Sequence, residues 1–270
     1  MRAVAANELK EIQISILKAV AAFCEENHLS YFLTGGTLIG AVRHRGFIPW
    51  DDDVDLNMPR KDYEYFFANF NESRNDTLVA ISLENSKDYY LASGKVYDAR
   101  TVLTERVLGA TPIGVNIDIF PMDEFPGDTY KLNRITREVG FLRSLLLFKT
   151  LIWNQSRPLI KNLALIAGRT MLLPIDRKAL LKTISDKSQK YNNDPKCTKV
   201  AVMAVLIYGK KEIFDKKDFE GVVKLEFEGD LYSAPSGYDH ILRQVYGDYM
   251  QLPPEEARVS THDYEVFWRE

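Results

Sequence analysis

The chain has little cysteine, no long uninterrupted apolar run and no excess of positive charge. Cys24 and Cys197 are too few and too far apart for a disulfide framework or a cysteine-based zinc site, which fits a reducing cytosol. The N-terminal residues lack the apolar core of a secretion signal, and no run reaches the ~18 apolar residues that a spanning helix needs. A net charge of −3 and a pI near 5.9 argue against nucleic acid as a partner. We therefore expect a globular, cytoplasmic protein.

The length and composition suit one large domain, or a domain with an insertion, because 46% of the 270 residues are hydrophobic. Apolar spacing of three and four from Glu8 to about Asn27 predicts an amphipathic helix that braces the first strand. Helices are also predicted at 60–70, within 129–191 and at 238–246, and strands at 31–34, 78–83, 89–97, 101–105, 114–120 and 222–228. We expect the strand at 114–120 to close a mixed α+β sheet.

Two carboxylates alternate with apolar residues in the run Asp53-Val54-Asp55-Leu56. On an extended strand the carboxylates project from one face, with their Cα atoms roughly 6.6 Å apart, while the apolar residues project from the other. Magnesium prefers such hard oxygen ligands and shares its shell with substrate phosphates. For the preceding acids, at 51 and 52, a solvated acidic turn after Pro49 is the open alternative. The pattern therefore predicts that Asp53 and Asp55 bind a metal ion.

A glycine turn lies between a short strand and a helix start, upstream of these acids. Gly35, Gly36 and Thr37 follow the strand, and free backbone amides at the start of a helix attract phosphate. A Gly-Gly pair alone is a weak signal, since most such pairs are ordinary turns. Arg43 and His44 add positive charge before the acidic strand. The combination indicates a site for a metal-bound nucleotide diphosphate.

The strand at 114–120 carries a further acid. Its aliphatic residues alternate with Asn116, Asp118 and Phe120, so the Asp118 carboxylate faces away from the aliphatics. We interpret Asp118 as the third site acid, against the alternative of a buried aspartate held by backbone donors. Lys95 lies in a strand of small and apolar residues, so its ammonium either reaches solvent or binds a phosphate oxygen. We prefer the phosphate.

The run GGTLIGAVRHRGFIPWDDDVDLNMPRKDYE resembles the signature of the LicD family, the bacterial phosphocholine transferases related to the animal fukutin-type ribitol-phosphate transferases. The resemblance extends to 95–98, to 114–123 and to a C-terminal run at 227–229, 246–250 and 252–256 that ends at His262. About two-thirds of the chain is covered, whereas residues 127–220 carry no matching motif. The resemblance makes His262 a site candidate, and the alternative is a structural histidine.

The resemblance implies a nucleotidyltransferase-like fold of class α+β, with flanking helices and a helical insertion. Its catalytic core would span residues 1–126, the mostly helical insertion 127–220, and a completing C-terminal part 221–270. The implied reaction moves phosphocholine from CDP-choline to a hydroxyl of a lipid-linked glycan precursor of the teichoic acid or lipopolysaccharide type, releasing CMP. Mg²⁺, with Mn²⁺ as the alternative ion, would be held by Asp53, Asp55 and Asp118, and Asp118 is the candidate base.

A choline group calls for a cage of aromatic faces. Trp50, beside the acids, is the first candidate, while Tyr246 and Tyr249 can equally be core residues. Two alternatives stay open. One is a transferase of nucleotidyl, ribitol-phosphate or glycerol-phosphate groups on the same scaffold, for which a cage would serve no purpose. The other is a non-catalytic scaffold protein, against which the intact acids argue.

Residues 139–175 contain no acid but five cations among many apolar residues, in a chain of net charge −3. Basic residues among Trp, Phe and Leu at helical spacing are typical of an interfacial helix. One interpretation is therefore peripheral docking on the inner membrane surface, which suits an acceptor carried on a lipid. The other is a hydrophobic helical hairpin packed on its own domain, with its cations solvated.

Overall fold

A computed structural model describes residues 2–73, 77–87, 89, 91–105, 113–150, 158–172, 174–259 and 264–269. The α-helices are α1 (Ala6–Glu26), α2 (Gly35–His44), α3 (Arg60–Ser73), α4 (Thr129–Thr150), α5 (Leu159–Met171), α6 (Arg177–Ser188) and α7 (Tyr238–Tyr246). The strands are β1 (Phe32–Leu33), β2 (Asp55–Pro59), β3 (Leu78–Ile81), β4 (Gly94–Asp98), β5 (Thr101–Glu105), β6 (Asn116–Pro126), β7 (Cys197–Ala201), β8 (Phe214–Asp215), β9 (Val222–Phe227), β10 (Asp230–Pro235) and β11 (Tyr264–Trp268).

The main sheet has the order β1-β2-β6-β4-β3, and β7 extends it from β6 toward β8. Strand β2 runs parallel to β6, whereas β4 runs antiparallel to it. The prediction that the strand at 114–120 closes the sheet is wrong, because β6 lies in the middle and continues to Pro126. Strand β5 also leaves this sheet and pairs with β11. The mixed α+β class is confirmed.

The inner face of the sheet is aliphatic, as the alternation predicted. Val54 and Leu56 are fully buried, as are the aliphatic residues of β6 that precede and follow Asp118. Helix α1 places its predicted stripe of Leu9, Ile12, Ile16, Val20 and Phe23 in the same core. Helix α3 adds four aromatic residues to it, at 63, 66, 67 and 70. Apolar burial on this face therefore orients the polar face of β2 and β6 outward.

The segment from 127 to 220 contains the predicted helices, which the structure breaks near Pro158 and Pro174. It also contains β7 and β8, which the sequence analysis missed. Strand β7 pairs with the second half of β6, where Asp123 lies opposite Ala201. Phe125 of β6 packs with residues of α4 and α6 in a second apolar cluster. The segment is thus joined to the main sheet by hydrogen bonds, and its predicted boundaries stay a prediction.

The C-terminal part adds a hairpin of β9 and β10 and the helix α7. The sequence analysis predicted the first strand and the helix but missed β10. Within the described part of the chain, we find no helix that combines the length and the apolar character needed to cross a bilayer.

Candidate active site

A cavity of about 330 Å³ opens at the polar face of β2, and we call it the acidic cavity. One end is formed by Thr34, Gly35, Gly36, Asp51, Asp53 and Asp55. The other end is apolar and aromatic, with residues from the 202–208 turn and from α7. The cavity therefore joins a carboxylate-rich end to an apolar, aromatic end, as a substrate with a charged and an apolar portion requires.

The glycine turn holds Asp55 in place. The backbone amide of Asp55 donates to Thr37 Oγ1 at 2.9 Å, and the amide of Thr34 donates to the Asp55 carbonyl at 3.2 Å. Gly35 has a φ of +56°, and a Cβ there would lie 3.3 Å from Asp55 Oδ2. Thr37 itself is buried, so its hydroxyl positions the acid rather than a phosphate. The predicted role of the Thr37 backbone amide as a phosphate donor stays a prediction.

The sequence analysis set aside Asp51, yet this residue lines the acidic cavity. A side-chain carbon at Gly36 would overlap the Asp51 carboxylate, so this carboxylate lies close against the glycine turn. Asp51, Asp53 and Asp55 are spaced by two, and the spacing that selected the last pair also includes Asp51. The two-residue spacing of the acids was therefore visible in the sequence. The strand, however, begins only at Asp55, so the pattern of alternating buried aliphatic residues does not extend to Asp51.

Asp118 occupies the position on β6 that pairs with Asp55 on β2 and with Lys95 on β4. Lys95 Nζ lies 2.7 Å from Asp118 Oδ2 and donates to Asn116 Oδ1 at 2.9 Å. Ser93 Oγ donates to Asp118 Oδ1 at 3.3 Å. Lys95 is buried, so the interpretation that it reaches solvent is wrong. Asp118 takes its partners from side chains, against the alternative of backbone donors alone.

Crowding of the acids changes the protonation of Asp55. Burial, followed by the negative charges of Asp53 and Asp118, raises the pKa of the Asp55 carboxyl well above its usual range. Lys95 opposes this rise only in part. A divalent cation would remove the repulsion, and carboxylate oxygens are the ligands that Mg²⁺ prefers. The donor set therefore fits such an ion, with Asp51, Asp53 and Asp55 on one wall and Asp118 turned toward Lys95.

A tighter cluster of metal-type ligands lies elsewhere. In the part of the chain that the structure describes, one His/Cys/Asp/Glu set has ligand atoms all within 4.8 Å of one another, and it consists of Asp215, Asp218 and His240. Lys199 Nζ lies 2.6 Å from Asp215 Oδ1, and His240 Nδ1 lies 2.8 Å from Asp218 Oδ2. Ion pairing accounts for this cluster. The acids of the cavity are more widely spaced, as expected of groups that repel each other.

Two basic residues predicted to bind phosphate lie outside the lining of the acidic cavity. Arg43 Nη1 donates to the carbonyl of Tyr249 at 2.6 Å, and burial lowers the pKa of its guanidinium. His44 Nε2 accepts from Arg43 Nε at 3.0 Å, and burial and the Arg43 charge lower the pKa of the imidazole. Arg43 therefore fastens the C-terminal segment to α2, and His44 accepts from Arg43; the assignment of both residues as phosphate ligands stays a prediction.

Trp50 and Tyr249, two of the three cage candidates, also lie outside this lining. The Trp50 ring faces the guanidinium of Arg258 at 5.7 Å. The Tyr249 hydroxyl donates to Asp239 Oδ1 at 2.7 Å, and burial raises the pKa of Tyr249 to about 12. Both rings therefore contact groups of the protein itself. His262 lies outside the described residues.

Tyr246 does line the acidic cavity, together with two residues that the sequence analysis missed, Tyr208 and Glu212. The rings of Tyr208 and Tyr246 meet edge to face with their centroids 5.4 Å apart. Glu212 Oε2 accepts from the Tyr208 amide at 2.7 Å, and burial raises the pKa of the Glu212 carboxyl. These residues belong to a turn without periodic pattern, so no local signal in the sequence pointed to them.

The mixed sheet with a strand–glycine turn–helix unit and acids on paired strands defines a nucleotidyltransferase-like fold. The family model described as LicD/FKTN/FKRP, nucleotidyltransferase domain, matches residues 28–144. A Haemophilus influenzae protein named lipopolysaccharide cholinephosphotransferase LicD is 30% identical over an alignment of 273 residues that covers 99% of each chain. Human ribitol 5-phosphate transferase FKRP is 46% identical over 43 residues, which are 16% of this chain and 9% of that protein. The chain therefore belongs to the LicD family and is a phosphotransferase.

Proposed function

We propose that the protein transfers phosphocholine from CDP-choline to a hydroxyl of a lipopolysaccharide-type glycan and releases CMP. The observation that carries the proposal is the acidic cavity. One end combines the glycine turn with Asp51, Asp53 and Asp55, and the other end holds two tyrosines beside Glu212. The full-length similarity to a relative named as a cholinephosphotransferase supports the same group and the same kind of acceptor.

Bound Mg²⁺ would supply positive charge against the diphosphate and lower the pKa of the attacking hydroxyl. Asp53 and Asp55 are the residues that would hold it, and Asp118 stays paired with Lys95 in the role of the base. The amides of Gly35 and Gly36 hold phosphate oxygens at the start of α2. These residues fix the donor so that its phosphorus faces the incoming hydroxyl.

In the transfer step the acceptor oxygen forms a bond to the phosphorus that carries choline. The bond from that phosphorus to the bridging oxygen breaks, and CMP leaves with the bridging oxygen and its electron pair. Asp118 takes the proton of the acceptor hydroxyl. Lys95 Nζ lies 2.7 Å from Asp118 Oδ2 and fixes the orientation of this carboxylate.

We assign the choline group to the tyrosine end of the acidic cavity. A trimethylammonium group is stabilised by aromatic faces and by a nearby carboxylate. Tyr208 and Tyr246 offer the faces, and Glu212 offers the carboxylate. This assignment replaces Trp50 and Tyr249, whose rings contact Arg258 and Arg243 instead.

The proposal is tested by incubating the purified protein with a panel of CDP-alcohols, Mg²⁺ and a lipopolysaccharide-type acceptor, and by measuring CMP. We expect CDP-choline to be used with the highest kcat/KM. The local identity to a ribitol 5-phosphate transferase makes CDP-ribitol the main competitor, and preferential use of CDP-ribitol or CDP-glycerol would overturn the choline assignment.

Isosteric substitutions test the acids. Asp53→Asn and Asp118→Asn should each reduce transfer by at least about 100-fold while the protein keeps a cooperative thermal transition, because the amide keeps the shape but removes the charge. Asp186→Asn, on the surface helix α6, is the matched control. Near-normal turnover in either site variant would remove that residue from the mechanism.

The tyrosine end is tested by comparing donors. Tyr208→Leu should raise the KM for CDP-choline by about 2- to 30-fold, the range of one cation–π contact, and should change the KM for CDP-ethanolamine less. Tyr208→Phe keeps the aromatic face and should behave as the wild type. Tyr130→Leu, on exposed α4, controls for the loss of a surface tyrosine. Equal losses for both donors would assign Tyr208 a packing role.

A further inference from the structure

Large apolar side chains are exposed on one face of the helical segment, which we call the α4–α5 face. It consists of Phe141, Leu159, Ile160, Leu163, Ile166 and Met171, which are 48% to 80% exposed. Among the described residues, half of the large exposed hydrophobics fall between 139 and 175, nine of 18. Concentrations of this kind mark interaction surfaces, whereas single exposed apolar residues need no explanation.

Helix α5 is apolar on both sides, which packing on its own domain does not require. Its inward side is narrow and consists of buried Asn162 and Leu165 with Gly168, whose Cα lies against the ring of Phe148. The exposed positions of α5 are still mostly Leu, Ile, Ala and Met, with Lys161 and Thr170 as the polar exceptions. A helix that met only water there would carry polar residues on that side. The α4–α5 face is therefore built to contact something apolar.

The charge of the segment decides between candidate occupants. Residues 139–175 contain five cations and no acid. Lys161 is exposed within the face, whereas Arg143 and Lys149 donate to backbone carbonyls of Val205 and Leu172. A symmetric contact with a second copy would oppose one cationic segment to another, which is unfavourable. An anionic surface with an apolar interior complements both the cations and the exposed side chains.

The α4–α5 face is connected to the acidic cavity. Arg143 of α4 donates to the carbonyls of Leu206 at 3.1 Å and Val205 at 2.8 Å. Both residues line the cavity, next to exposed Ile207 and Tyr208. A surface that held α4 would thus also hold this rim of the cavity, where an acceptor would enter.

We propose that the α4–α5 face docks on an anionic bilayer surface. The outer residues of α5 enter the boundary between headgroups and acyl chains, and Lys161 remains at the level of the anionic headgroups. Docking brings the rim of the acidic cavity to the membrane, where an acceptor that carries a lipid is located. The inference deepens the proposed function, but binding to vesicles requires neither donor nor acceptor, so the two can fail independently.

Flotation of the purified, full-length protein tests the proposal. We expect the protein to float with vesicles of phosphatidylglycerol and phosphatidylcholine, to remain at the bottom with phosphatidylcholine alone, and to detach as salt is raised. Lys161→Glu should weaken the partition constant by about 30-fold, since it changes the charge by two and each charge near the surface changes it about fivefold. Ile160→Gln and Leu163→Gln should each weaken it by about tenfold.

Leu231→Gln is the matched control, because Leu231 is an equally exposed leucine on the hairpin of β9 and β10. It should float as the wild type does. A thermal unfolding curve of each variant tests whether the fold is kept. The comparison of the two vesicle types uses the wild type alone, so it does not depend on any variant folding. The proposal is overturned by absence of flotation with either vesicle, by binding that Ile160→Gln and Lys161→Glu leave unchanged, or by a dimer that Ile160→Gln dissociates.

Discussion

Asp55→Asn should stabilise the metal-free protein and at the same time abolish transfer. Asp55 and Asp118 occupy paired positions on neighbouring strands, which lie about 4.8 Å apart. At that distance two unit charges repel by about 3 kcal/mol at an effective dielectric of 20. Water in the acidic cavity and the attraction of Lys95 reduce this value. We therefore expect a gain of about 1 to 2 kcal/mol in the free energy of unfolding at pH 7.

The gain should depend on pH, with a sign that follows from the raised pKa of Asp55. Below the unfolded pKa of about 3.8 the carboxyl is neutral in both states, and its contribution to stability is fully present. As the pH rises toward the folded pKa, the unfolded chain loses its proton first, so the wild type loses stability. The loss is at most about 1.4 kcal/mol per pH unit. The side-chain amide of Asp55→Asn does not titrate, so the variant does not lose this stability.

Urea unfolding in EDTA between pH 5 and pH 8 measures this effect. The difference between Asp55→Asn and the wild type should grow as the pH rises from 5 and become constant above the folded pKa of Asp55. Asp215→Asn is the control, because the hydrogen bond from Lys199 lowers the pKa of Asp215, which is then ionised in both states throughout. Its difference from the wild type should be flat. With Mg²⁺ at about 100 times its Kd, the wild type should gain about 2.7 kcal/mol and Asp55→Asn much less. A flat difference for Asp55→Asn would refute the argument.

Three further predictions concern residues outside the lining of the acidic cavity. Arg60→Met should lower the free energy of unfolding, measured in urea, by about 3 to 5 kcal/mol. The substitution removes the guanidinium that binds both carboxylate oxygens of Asp123, whose side chain is only 1% exposed. Arg43→Lys should speed proteolytic cleavage after residue 249, since Arg43 Nη1 holds the carbonyl of Tyr249, and should leave the KM for the donor unchanged. A higher KM with unchanged cleavage would instead indicate that Arg43 is a phosphate ligand. Trp50→Leu should alter the KM for CDP-choline and CDP-ethanolamine equally, and a loss confined to CDP-choline would return Trp50 to the choline site.

Local patterns predicted the parts of the site that depend on one strand or one turn. The alternation around Asp53 and Asp55, the same alternation around Asp118, and the glycine turn each give a side-chain direction within a few residues. The strand order does not follow from such patterns. Nothing near Asp118 indicates that β6 would lie in the middle of the sheet and continue to Pro126, because that depends on pairing with residues far along the chain.

The tyrosine end of the acidic cavity could not be predicted for a similar reason. Tyr208 and Glu212 follow one another in a turn and a short 3-10 helix that have no apolar period. Their position depends on Arg143 from α4 and on Gln244 from α7, whose side-chain amide donates to the carbonyls of Lys211 and Ile213. The cation and the amide are ordinary polar residues of their helices, so only the assembled structure reveals what they hold.

The central position of β6 also determines when the site can form during folding. Asp55 and Asp118 meet through a parallel pairing of strands that are about sixty residues apart, and such long loops close late because ordering them costs entropy before their contacts form. The hairpin of β9 and β10 and the helix α1 need only neighbouring residues and can form earlier. Metal or nucleotide therefore cannot act as a template for early intermediates, and a donor-binding signal during refolding would report the completion of the sheet.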